Sequence, residues 1–129
     1  MPVSPWFTIK SSEPQREYLA LLTYLPLRSY RSIPRFLLYT FRVVGQLKRT
    51  PGLIGYSLWA ELGKKQFWTL SAWENDQALS QFVPTMPHGE VMRKLDGKMG
   101  HTGFWRWKVK GSELPLQWRE GLQHRQNPS

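Results

Sequence analysis

Residues Lys65 to Met99 read KQFWTLSAWENDQALSQFVPTMPHGEVMRKLDGKM. Phe67, Thr69, Ser71 and Trp73 alternate with Trp68, Leu70 and Ala72, and aromatic and β-branched residues suit a pleated surface, so the stretch opens as a strand. Asn75 and Asp76 stop that strand and can cap a short helix, Gln77 to Phe82, which Pro84 ends. Pro87 can start a second helix, because its fixed φ and missing N–H do no harm in a first turn. His88, Val91, Met92, Leu95 and Met99 then fall on one helical face, with His88 the polar member of an apolar stripe. Trp73, at the strand end, is the aromatic expected to lie near it.

Working outward toward the N-terminus, residues 1–17 contain three prolines and read as an irregular arm whose Trp6 and Phe7 can dock on the domain. Tyr18 to Leu25 predicts a strand that Pro26 closes. Ser32 and Pro34 open an amphipathic helix. Ile33, Leu37, Phe41, Val44 and Leu47 are expected on its core face, and Arg35, Tyr39, Arg42, Gln46 and Arg49 on its solvent face. Thr50-Pro51-Gly52 ends that helix. Leu53 to Leu62 is a second strand, and Gly63-Lys64 turns so tightly into the third that the two must pair antiparallel. Toward the C-terminus, Phe104 to Lys110 alternates as a fourth strand with Trp105, Trp107 and Val109 on one face. Leu116 and Trp118 can fold back onto the body, and residues 119–129 form a polar tail containing a short helix.

The order β-α-β-β-α-β over residues 18–118 is the ferredoxin-like arrangement, an α+β fold with a four-stranded antiparallel sheet and helices on one face. The strands carry large apolar side chains on both faces, and two helices cover only one. The other face needs a second copy of the chain packed sheet to sheet, or the tail folded back through Trp118.

The 129 residues fit one domain with a substantial core. The chain has no cysteine, which excludes disulfides, thiolate metal sites and thiol catalysis. No apolar run approaches the length of a membrane helix, and the N-terminus does not read as a secretory signal, so a cytoplasmic location is expected. The formal net charge of +9 raises nucleic acid and anionic membrane surfaces as partners. Arg35, Arg42 and Arg49, seven apart, can form one stripe on the first helix. No helix-turn-helix, zinc-finger or aromatic RNA-binding signature accompanies them, so an anionic membrane surface is the better of the two.

Phe67 to Trp73, Glu74 to Leu79, Phe82, and Pro87 to Met92 together resemble the dimeric α/β-barrel superfamily that includes the antibiotic-biosynthesis monooxygenases. The nearest pattern is that of spheroidene monooxygenase-like proteins. The resemblance implies a homodimer paired through the sheet face and a pocket between sheet and helices for a hydrophobic aromatic or isoprenoid substrate. It also implies a role for His88 as iron ligand if haem is bound, or as general acid/base, with Trp73 beside it. Ser71 and Thr69 share the Trp73 face and suit a cavity, and Tyr24 (like Tyr39 and Tyr56) could bring a phenol to it. His88 hydrogen-bonded to backbone and packed on Trp73 is the structural alternative. Two other function classes stay open: a non-catalytic ligand-binding or interaction protein of this fold, and a basic peripheral membrane or nucleic-acid binder. His101 and His124 are expected in solvent, and the three histidines lack the spacing of a compact metal site.

Overall fold

A computed structural model describes residues 4–82, Arg93 and residues 102–126, with side chains to Gln123. The helix expected around His88 to Met99 lies, apart from Arg93, outside the described residues. The elements are β1 (Phe7–Thr8), β2 (Glu17–Pro26), α1 (Ile33–Leu47), β3 (Leu53–Glu61), β4 (Gln66–Trp73), α2 (Asp76–Phe82), β5 (Gly103–Lys110) and α3 (Trp118–Gln126). All strands join one antiparallel sheet in the order β1-β3-β4-β2-β5. Without β1 this is the strand order of the ferredoxin-like fold, as expected. The sheet has five strands rather than four because the N-terminal arm adds Phe7 and Thr8 opposite Tyr56 and Gly55.

Local chemistry accounts for the element ends. The Asn75 side chain accepts a hydrogen bond from the Ala78 amide at 2.9 Å, the cap expected for α2. In the β3–β4 connection the left-handed residue is Lys65, with φ of 57°, rather than Gly63. The Leu27 amide donates to the Lys65 carbonyl, which ties the end of β2 to that turn.

On one face of the sheet lie α1 and α2. Leu19, Leu21, Leu53, Tyr56 and Trp73 pack there with Leu47, Leu79 and Phe82. Further along the same face, Phe67 packs with Leu27, Phe36 and Tyr39. The orientation of α1 corrects the expectation from periodicity. Tyr39 and Gln46, placed on the solvent face by the sequence, are buried, whereas Phe41, placed in the core, is 75% exposed. Apolar residues run almost all round this helix, so period alone does not fix its rotation. The sheet beneath selects the Phe36–Tyr39–Leu47 side.

The opposite face holds one continuous cluster built on Tyr18, Ala20, Leu22, Ile54, Trp68, Leu70, Ala72 and Val109. The chain covers it with its own ends. Trp118 meets Trp59 edge to face at 5.4 Å between ring centroids, and its Nε1 donates to Ser57 Oγ at 2.9 Å. Ser57 Oγ in turn donates to the Ser4 carbonyl at 2.9 Å, so one buried hydroxyl fastens both termini. Gly121 lets α3 approach closely, since a Cβ there would stand 3.0 Å from Leu70 Cδ1. Trp6 lies so near Gly55 that any side chain at that position would collide with its indole. Helices therefore lie on both faces, and the fold-back of Trp118 is the arrangement found within one copy.

Candidate functional site

Alternation in β4 sends Phe67, Thr69, Ser71 and Trp73 to the helix-bearing face. Antiparallel register decides their neighbours. Thr69 lies opposite Thr23 of β2 and Leu58 of β3, Ser71 opposite Leu21 and Tyr56, and Trp73 opposite Leu19 and Leu53. Thr69, Ser71 and Trp73, three of the four ligand-binding candidates, therefore share one surface under the helices. Tyr24, the fourth, is on the other face, where its ring lies 4.4 Å from that of Trp68. The sequence could not separate them, because the faces of β2 and β4 are related only by the register between them.

Trp73 is 2% exposed and is held on both sides. Its ring packs on Phe82 with centroids 5.2 Å apart, and its Nε1 donates to Ser71 Oγ at 2.9 Å. That bond satisfies a buried indole N–H, which would otherwise cost the full desolvation penalty. Thr23 is buried as well, whereas Thr69 is half-buried. Thr23 was missed in the sequence because it stands in a strand of leucines, where Thr reads as a β-former. Only its pairing with Thr69 marks it.

The Thr23–Thr69 row lies between two apolar clusters that do not merge, one around Trp73 and one around Phe67, whereas Ser71 sits inside the first, flanked by Leu21 and Tyr56. Successive residues on one strand face are separated by about 7 Å, so the Thr23–Thr69 pair and Ser71 span a polar strip within an apolar wall. Tyr56 borders this strip opposite Ser71, and burial pushes its phenol above the usual value, so it stays a neutral donor. Tyr39 lies in the Phe67 cluster beside the strip. At the open edge, β5 presents Phe104 opposite Thr23 and Arg106 opposite Leu21. Arg106 pairs with Asp76 at the start of α2 at 3.5 Å.

The strip thus places hydroxyl donors and acceptors within an apolar wall. Among the described residues no group of three or more His, Cys, Asp or Glu could hold a metal ion. His88, assigned by the sequence as the acid/base or iron ligand, lies outside the described residues. The described donors on this face are the aliphatic hydroxyls, the phenols of Tyr56 and Tyr39 and the Trp73 indole.

A four-stranded ferredoxin-like core with a polar strip between sheet and helices defines the class. Comparison with known proteins agrees on the fold. SnoaB, a cofactor-independent oxygenase from Streptomyces nogalater, superposes with a TM-score of 0.61 at 12% identity, over 78% of this chain and 99% of that one. An antibiotic biosynthesis monooxygenase superposes with a TM-score of 0.63 at 13% identity, over 69% of this chain and 95% of that one. A Lactobacillus acidophilus protein provisionally described as a monooxygenase gives 0.63 at 12% identity, over 82% of this chain. This chain spans about half of that protein's length (51%). No family model and no curated protein matches the sequence. The structural neighbours thus include antibiotic biosynthesis monooxygenases, which share the ferredoxin-like fold of this chain.

Proposed function

We propose that this protein is a monooxygenase-like enzyme, acting in the cytoplasm, that binds a hydrophobic aromatic or isoprenoid substrate between its sheet and helices. One observation carries the reading: the Thr23–Thr69 pair interrupts the apolar packing under the helices, next along the strand from Ser71 and Trp73. In this reading Trp73, locked by Ser71 and Phe82, forms the buried back of the site. Thr23 and Thr69 orient a substrate oxygen. The leucine and phenylalanine walls exclude water, which raises the reactivity of a substrate anion toward dioxygen. His88 takes or returns the proton. If haem is the cofactor, it supplies the oxygen chemistry and His88 its protein ligand.

The fold neighbours include an oxygenase described as cofactor-independent, which favours the haem-free version. A homodimer belongs to the proposal too. Tyr24, Trp59, Trp105 and Trp107 stay half-buried around α3 on the tail-bearing face, which leaves a rim for a second copy. Light scattering across a concentration series tests that pairing, and a monomer throughout removes it.

The test of the site is a mass spectrum of whatever small molecule copurifies, followed by oxygen-uptake assays on hydroxylated polycyclic aromatics and polyenes. Wild-type uptake that His88→Ala and the double variant Thr23→Val with Thr69→Val abolish is expected. No ligand and no turnover would favour the non-catalytic interaction protein. Haem titration with His88→Ala as control decides the cofactor, since a Soret band that survives the substitution rules out His88 as the ligand.

A further inference from the structure

The solvent side of α1 is not an ordinary polar helix face. Phe41 is 75% exposed, Leu38 51%, and Tyr30, in the turn leading into the helix, 58%. Pro34, Leu38 and Phe41 follow at spacings of four and three and so form one apolar ridge. Arg35, Arg42 and Arg49, all exposed, recur every seven residues alongside it, and Lys48 is exposed at the helix end. Arg31, Arg35, Arg42, Lys48 and Arg49 make no ion pair among the described residues. Residues 18–60 contain no Asp or Glu at all. Positive charge is thus gathered around exposed apolar side chains, and no described acidic side chain pairs with Arg31, Arg35, Arg42, Lys48 or Arg49.

From this we infer that α1 docks the protein on an anionic lipid bilayer, Phe41 and Leu38 entering the headgroup–acyl boundary and the arginines meeting lipid phosphates. A bilayer interface supplies both phases that this surface needs, apolar for the ridge and anionic for its flank. The ridge is convex and its helix is held to the sheet by Phe36, Tyr39 and Leu47, so entry is shallow and the fold stays intact. Duplex nucleic acid would use the arginines but gain nothing from Phe41 and Leu38. An acidic protein would have to supply a matching apolar groove.

The experiment is cosedimentation of the full chain with vesicles of phosphatidylcholine alone and of phosphatidylcholine with phosphatidylglycerol at roughly two to one. Binding to the anionic vesicles at low salt is expected, weakening steeply as salt screens the headgroups. Phe41→Ser with Leu38→Ser should lower the partition coefficient at least about tenfold. Arg35→Glu with Arg42→Glu should lose binding at about fivefold or more per charge. All four side chains are exposed, so unchanged thermal melting is expected for both variants. Because the chain has no cysteine, Phe41→Cys carries a nitroxide at a unique site, and that label should become inaccessible to aqueous relaxation agents on bound vesicles.

The inference is overturned by wild-type protein that does not sediment with anionic vesicles, or by an apolar double variant that binds as wild type. A label that stays in water on bound vesicles overturns it as well. Phe41-dependent binding to duplex DNA, or Phe41-dependent self-association, in the absence of vesicle binding would assign the surface to those partners instead.

Discussion

The two faces of this sheet are built from the same four strands and solve opposite problems. On the tail-bearing face, alternate residues such as Ala20, Leu22, Leu70 and Ala72 are wholly buried in one unbroken cluster. On the helix-bearing face, the apolar packing splits in two at the Thr23–Thr69 row, with Ser71 inside one of the halves. Polar groups buried without need are costly, and the other face shows that these strands can do without most of them. A strip of hydroxyls kept under the helices is therefore where binding chemistry is to be sought, while the opposite face is closed by the chain's own ends.

The largest effect expected from this contrast is on the tail-bearing side. Leu70→Ala opens a cavity at a fully buried position and should cost about 2–5 kcal/mol in urea unfolding. Trp118→Ala removes the edge-to-face contact with Trp59 and strips the Ser57 hydroxyl of its donor; about 2–3 kcal/mol is expected. Neither change touches the hydroxyl strip, so ligand affinity at temperatures well below melting should hold. Loss of affinity in step with stability would mean that the two faces are not separable.

Ser71→Ala is intermediate. It leaves the Trp73 N–H buried without its acceptor and should cost about 1–3 kcal/mol, with Trp73→Phe in the same background restoring part of the loss. A double-mutant cycle by chemical denaturation checks the coupling. Thr23→Val with Thr69→Val sharpens the comparison most. The shape is nearly kept, so stability should change by less than about 1 kcal/mol in either direction, yet ligand binding should fall at least tenfold by calorimetry. A large stability loss with unaltered binding would return both threonines to a purely structural role.

The smallest effect lies at the rim. Glu74, just beyond β4, accepts a hydrogen bond from Lys10 of the N-terminal arm, which holds its carboxyl below the usual carboxylate value. A depressed folded-state pKa gives stabilisation that is present above the unfolded value and is lost as pH falls through the folded one. The Lys10 side chain is 59% exposed, so the pair is worth less than about 1 kcal/mol. Stability measured between about pH 5 and pH 3 should fall slightly more for wild type than for Lys10→Met.

Much of this architecture was legible in the residues. The alternation of Phe67 to Trp73, the Asn75 cap and the short β3–β4 connection lead to the observed strand, helix and hairpin, because each depends on neighbours within a few positions. Trp118 was a candidate cover for the second face, and it takes that place. Tyr24, offered to a pocket with Trp73, lies on the opposite face, and Phe41, expected in the core, is exposed. Both placements depend on which way a side chain faces across elements distant in sequence. Ser57, which fastens both termini, carries no signal at all in a strand of mixed residues.

Local stereochemistry and the two periods of backbone structure are properties of the chain itself, so the amino-acid sequence determined the order of elements, the alternation within each strand and the surplus of positive charge. Register between strands and the rotation of α1 were decided only when the sheet assembled, since both depend on which distant apolar surfaces meet. That assembly brought Thr23 beside Thr69, sent Tyr24 to the far face and left Phe41 in solvent among arginines.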